Sequence, residues 1–171
     1  MVRIGQLAPL IRVPVLMHGT LTYFDWERTR GHCIALCCVQ SLGLIDAIFL
    51  NHQSTAFEQC NASLIALCRE DTAIYHSGIK HLGPLRVPIL SDPLRRLHRL
   101  YGIRVQQRLG RCVTFLVDAD RILRFRVVHD LNRRGLSAVQ ELLSVMQHRI
   151  SAIQKFKLEM AHALSRRSAP S

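Results

Sequence analysis

The chain has 171 residues, enough for one well-buried domain with a tail but short for two. With 49% hydrophobic and 20% charged residues it lies far from the composition of a disordered chain, and no stretch is of low complexity. The formal net charge of +11 admits three partner classes, namely nucleic acid, an anionic membrane surface or an acidic protein, and composition does not choose among them.

The amino-terminal stretch MVRIGQLAPLIRVPVLMHG breaks its apolar residues with Arg3, Gln6, Pro9, Arg12 and Pro14, so no signal-peptide core is expected. The longest apolar run, Cys33 to Val39, falls far below the roughly 20 residues of a membrane span, and a soluble chain is the expectation. From Gly31 to Asp71 the pattern reads as a strand (CIALCCV), a loop (QSLGLIDA), a helix from about Ile48 to Cys60, and a second strand (SLIALCR). This is a βαβ unit. The polar stop Glu70-Asp71-Thr72 after LIALC marks the carboxyl end of a buried parallel strand.

A short helix is expected over Thr72 to Lys80, ended by His81-Leu82-Gly83-Pro84, and then a brief strand, VPIL. SDPLRRLHRLYG reads as a helix capped by Ser91 or Asp92, with Pro93 in its first turn and Leu94, Leu97, His98 and Tyr101 on one face. Two strands follow, CVTFLVD and RILRFRVV, joined at Ala119-Asp120. In the second, Arg124 and Arg126 alternate with apolar residues, so one face is expected to be wet or to meet something acidic. The last pattern is one helix from about Leu136 to Arg167, preceded by Gly135. Its stripe comprises Val139, Leu142, Leu143, Met146, Ile150, Ile153, Phe156, Met160 and Leu164.

A domain over residues 1–148 and a helical extension over 149–171 are expected. Past residue 148 the apolar positions continue with no core left to cover, which points to a protein partner or a sister subunit; the alternative is that the helix folds back over the sheet. Arg95, Arg96 and Arg99 share one helix and Arg104 follows, a face that would suit an acidic assembly. Aromatics are too sparse there for a specific nucleic-acid signal.

The six cysteines, at 33, 37, 38, 60, 68 and 112, show neither a disulfide framework nor a zinc-knuckle spacing, and a reducing cytoplasm suits them. Cys37 and Cys38 are adjacent on a strand and so point to opposite faces. The nine histidines, His76, His81 and His98 among them, show no ligand spacing either, so neither a metal nor another cofactor is expected.

Taken together the order βαβ, then αββα, is that of an α/β thioredoxin-like fold. The segment LGPLRVPILSD (Leu82 to Asp92) with PLRRLHRLYGI resembles the peroxiredoxins, in particular their typical two-cysteine subgroup. The likeness extends to IGQLAP (Ile4 to Pro9), Asp71 to His76, TFLVD (Thr114 to Asp118) and DLNRRGLSAVQELL (Asp130 to Leu143). The resemblance implies that fold and a peroxide-reducing thiolate at a helix start, its pKa lowered by positive charge.

The family's signature is a proline, three residues, a threonine, two residues and the peroxidatic cysteine, supported by an arginine on a later strand. Here Gln40, Leu44 and Ala47 stand at the three signature positions and Cys112 at the arginine, with Arg111 one residue away. No cysteine occurs from Val39 to Gln59, and none follows Cys112 to act as a resolving thiol. The resemblance thus implies a catalytically inactive relative, acting as a structural, assembly or docking subunit, with a homodimer as one form. The competing expectation is an atypical thiol peroxidase or redox sensor using Cys112, Cys37 or Cys38.

Overall fold

The computed structural model describes residues 1–9, 12–29, 31–71, 85–103 and 110–167, with 27, 28 and 161–167 by backbone alone. The helix expected over Thr72 to Lys80, with His76 and His81, and the arginines Arg104 and Arg108 lie outside these residues, as does the Leu164 side chain.

Seven strands form one sheet: β1 (Arg12–Met17), β2 (Thr20–Asp25), β3 (Cys33–Val39), β4 (Ala62–Cys68), β5 (Ile89–Ser91), β6 (Arg111–Val117) and β7 (Leu123–Asp130), in the order β2-β1-β5-β4-β3-β6-β7. β3, β4 and β5 run parallel and the rest pair antiparallel. The three helices are α1 (Leu44–Gln59), α2 (Arg96–Leu100) and α3 (Arg133–Arg167). This is the α/β thioredoxin-like arrangement expected from the order of elements, with a hairpin added in front. That hairpin was hidden by Pro14 and the arginines, but its loop carries a clear signal. His18 and Gly19 have φ of 51° and 77°, the pair of left-handed residues a two-residue turn needs.

The central strand β3 is buried along its whole length and separates two cores. Cys33, Ala35, Cys37 and Val39 face the layer of α1 and α3, against Ala47, Leu50, Phe57, Val139 and Leu143. Ile34, Leu36 and Cys38 face Trp26, Leu97 and Tyr101 on the other side. Cys37 and Cys38 therefore point apart, as the pleat requires.

Three helix starts differ from the sequence expectation, each for a local reason. α1 begins four residues before Ile48, so LIDA is its first turn rather than loop: the Asp46 carboxylate accepts the Gly43 N–H (3.1 Å) and Ala47 N–H donates to the Gly43 carbonyl (3.0 Å). α2 starts only at Arg96. Its cap is Asp92, which accepts the N–H groups of Arg96 (2.8 Å) and His98 (2.9 Å) across a left-handed Arg95. Arg95 consequently sits outside the helix and Leu94 is exposed, off the face of Leu97, His98 and Tyr101. α3 starts at Arg133, capped by Asn132 accepting the Gly135 N–H (2.8 Å), so Gly135 belongs to the first turn.

α3 is about 50 Å long at 1.5 Å per residue. Leu136, Val139, Leu143 and Met146 are buried against the sheet, and Gln147 Nε2 donates to the Cys60 carbonyl at the end of α1 (2.5 Å). Residues 151–160 are all exposed, including Ile153, Phe156, Leu158 and Met160.

Candidate functional site

In an open sheet of this kind, ligand sites gather where parallel strands end and the chain crosses into a helix. Here β3 ends at Val39 and hands over to α1 through Gln40, Ser41, Leu42 and Gly43. The loop is anchored from β4: Leu42 N–H donates to the Glu70 carboxylate (3.4 Å), and Ser91 Oγ donates to the Glu70 carbonyl (2.9 Å). Beside it lies a shallow pocket of about 320 Å³ lined by Gln40, Ser41, Arg69 and Glu70. On the β6 side is a small cleft of about 60 Å³ between Gln40, Ser41, Asp46, Gly110 and Arg111.

Of the signature positions, Gln40 lines both hollows, Leu44 is the first residue of α1, and Ala47 is wholly buried beneath the helix. Among the described residues, no sulfur lines either hollow. Arg111 lines the cleft as well. It is the first residue of β6, opposite Asp130 in the ladder, and its Nε lies 3.5 Å from Asp130 Oδ1 with both groups exposed. The loop can therefore hold polar contacts, with Arg69 at one hollow and Arg111 at the other, and it carries no thiol.

The displaced-thiol candidates are all in the sheet. Cys38 is buried on the α2 face, and burial pushes its thiol pKa well up. Cys37 and Cys112 are wholly buried on the α3 face, side by side with His129 of β7. Donation from the Cys112 thiol, helped by Thr114, draws the Cys37 pKa down against burial; Cys112, as the donor in a buried place, is pushed up. Cys112 Sγ lies 3.4 Å from both His129 ring nitrogens, and Thr114 Oγ1 is 2.8 Å from His129 Nε2. Burial lowers the His129 pKa, so its ring is neutral and no cation stands beside either sulfur. Among the described residues, Cys37, Cys112 and His129 are the group of three with metal-ligand chemistry, their donor atoms all within 4.8 Å of one another. Sequence spacing missed it because three different strands supply the three donors.

A second buried polar pair lies on the opposite face. Asp92 Oδ2 is 2.7 Å from His98 Nδ1, both side chains nearly fully buried. Burial alone would raise the Asp92 pKa, but hydrogen bonds from the His98 ring and backbone, and from Arg96, outweigh it and hold the carboxyl below its ordinary value. This pair carries the α2 cap and stabilises the turn after β5. A pocket of about 540 Å³ adjoins it, walled by Val13, Pro14, Leu97 and Leu100 with Arg12 and Arg96 at its margin.

The partner-facing candidates do not form one site. Arg96 and Arg99 are exposed at α2 and Arg95 is half-buried, while Ile150 packs partly on the core and Ile153, Phe156 and Met160 lie on the free part of α3. No helix of the described residues is long and apolar enough to cross a membrane.

No protein-family model matches the chain. In sequence it is similar to the alkyl hydroperoxide reductase C of Buchnera aphidicola subsp. Baizongia pistaciae, at 30% identity over 94 residues. That match covers 50% of this chain and 47% of the relative, so the chain spans about half the length of the relative it matches. In structure it is similar to the reduced two-cysteine peroxiredoxin of Plasmodium vivax (TM-score 0.74, 15% identity, 86% of this chain and 98% of that one). It is likewise similar to the AhpC of Mycobacterium tuberculosis (TM-score 0.71, 17% identity, 86% and 94%). The chain has the peroxiredoxin variant of the thioredoxin fold, extended by a long carboxyl-terminal helix.

Proposed function

We propose that this chain is a catalytically inactive peroxiredoxin relative that works as a docking or assembly subunit. The observation that carries the reading is the start of α1: Leu44-Ile45-Asp46-Ala47 carries no thiol, and among the described residues no sulfur lines the hollows beside it. Peroxide reduction needs an accessible thiolate held by positive charge. Of the arginines at the two hollows, Arg69 and Arg111, the second faces Asp130.

Docking is supported by α3. Its free part, SAIQKFKLEM, is a basic amphipathic helix with Ile153, Phe156 and Met160 exposed alongside Lys155 and Lys157. Such a helix suits an apolar groove with an acidic rim on a partner protein. Arg96 and Arg99 add exposed positive charge elsewhere on the domain. Self-association through α3 is the other outcome a partner search would report.

A second reading has one observation in its favour, the lowered pKa of Cys37 next to Cys112 and His129. It would make the chain an unusual thiol peroxidase. Against it stand the complete burial of both sulfurs and the neutral imidazole. Peroxide consumption with dithiothreitol or a thioredoxin as reductant separates the two: none above the uncatalysed rate supports the docking reading. Turnover abolished by Cys37→Ser or Cys112→Ser establishes the other.

A further inference from the structure

The cluster at Cys37, Cys112 and His129 has no part in docking, yet it is the most chemically specific arrangement in the molecule. Its origin is in the strand register. Cys112 stands opposite Val39 on β3 and opposite His129 on β7, while Cys37 stands opposite Thr114 on β6. Cys37, Thr114, Cys112 and His129 are thereby close-packed neighbours beneath the first turns of α3. Around one ion with metal–sulfur bonds of about 2.3 Å and metal–nitrogen bonds of about 2.0 Å, neighbouring donors lie roughly 3.4 to 3.9 Å apart. Cys112 Sγ is 3.4 Å from His129 Nε2, and all three donors fall within 4.8 Å of one another.

The ring is held in the state a ligand needs. His129 Nδ1 is 2.9 Å from the Asp130 carbonyl, which only accepts, so Nδ1 carries the proton and Nε2 keeps its lone pair. Imidazole ligands are commonly oriented in this way, by a backbone carbonyl on the far nitrogen. At present Nε2 accepts from the Thr114 hydroxyl (2.8 Å), and Cys112 Sγ, equally distant from both nitrogens, sits over the ring face. Rotation of these two small side chains frees the lone pair. The roof is fitted to the ring as well: a Cβ on Gly135 would come within 2.7 Å of His129 Nδ1 and 2.2 Å of the Asp130 carbonyl oxygen.

We infer that Cys37, Cys112 and His129 form a buried binding site for a thiophilic closed-shell metal ion, with copper(I) as the occupant. Two sulfurs and one imidazole are a soft donor set that disfavours calcium, magnesium and manganese. Copper(I) is satisfied by three such donors in a plane, whereas a structural zinc ion requires four, and the fourth group here is only the neutral Thr114 hydroxyl. Binding breaks two S–H bonds and forms two copper–sulfur and one copper–nitrogen bonds. The two protons go to solvent, and no electron changes hands. Affinity therefore rises with pH.

The test offers copper(I), as its bicinchoninate complex, to the reduced full-length chain under anaerobic conditions, with zinc as competitor. One copper per chain is expected, with a raised unfolding temperature because the unfolded chain lacks the assembled site. Loss of a second-shell partner alone costs about 10- to 100-fold in affinity, so Cys37→Ala, Cys112→Ala and His129→Gln should each cost at least about a hundredfold. Cys38→Ser, equally buried on the opposite face, should leave binding unchanged. X-ray absorption on the copper-loaded wild-type chain reads the ligands without relying on any variant, and two sulfurs with one nitrogen are expected. A sulfur-only shell, binding indifferent to the three ligand substitutions, or zinc retained against copper would each overturn the assignment.

Discussion

At the residue scale, close approaches and buried charges decide what the chain tolerates. Gly135 is required by space, since an added Cβ would meet the Asp130 carbonyl and the His129 ring at less than contact distance. Gly135→Ala should destabilise the domain by about 1–3 kcal/mol, the usual cost of overpacking, seen as a lower urea midpoint. Asp92 makes a pH prediction. Its folded-state pKa lies below the unfolded value, so the unfolded chain takes up its proton first as acid is added. The stabilisation it gives is complete above the unfolded pKa of about 4 and is lost as pH falls through the folded value. Denaturant midpoints measured from about pH 7 down to pH 3 should show this acid loss in the wild type and a shallower one in Asp92→Asn, which starts less stable. Much of this scale was not legible in the sequence. The pairing of Asp92 with His98 hinges on a left-handed Arg95, and Cys112 meets His129 only because β6 and β7 pair in one particular register.

At the element scale the sequence was read more fully. The alternation in RILRFRVV and the unbroken run CIALCCV led directly to β7 and β3, because burial on one or both faces of a strand leaves its mark on every residue. The boundaries were harder to read, since a cap is a single hydrogen bond and not a periodicity. Asp46 and Asn132 pull α1 and α3 forward by several residues each. The amphipathic stripe of α3 ran evenly through the pattern, so only the structure separates the half packed on the sheet from the exposed residues 151–160. A chain ending at residue 150 should keep the wild-type unfolding temperature within a few degrees, because residues 151–160 are exposed. It should also lose whatever co-purifies with the full chain. A large drop in that temperature would instead mean that the helix end is needed for the fold.

At the scale of the whole molecule, the chain has the peroxiredoxin variant of the thioredoxin fold, and Gln40, Leu44 and Ala47 stand along the crossover from β3 into α1. Five of the six thiols are sheet residues and Cys60 follows α1, and the pair nearest a histidine, Cys37 and Cys112, is wholly buried on the α3 face. Positive charge is distributed over the surface rather than focused on a sulfur, with Arg124 bound to the buried Asp118 (2.5 Å) and Arg111 beside Asp130. The exposed amphipathic part of α3 is suited to binding. The most direct measurement is the rate of hydrogen peroxide consumption by the fully reduced, metal-free chain with excess dithiothreitol, beside a variant with all six cysteines replaced. The account predicts equal rates for the two proteins; peroxide turnover by the wild type that the cysteine-free chain lacks would contradict it.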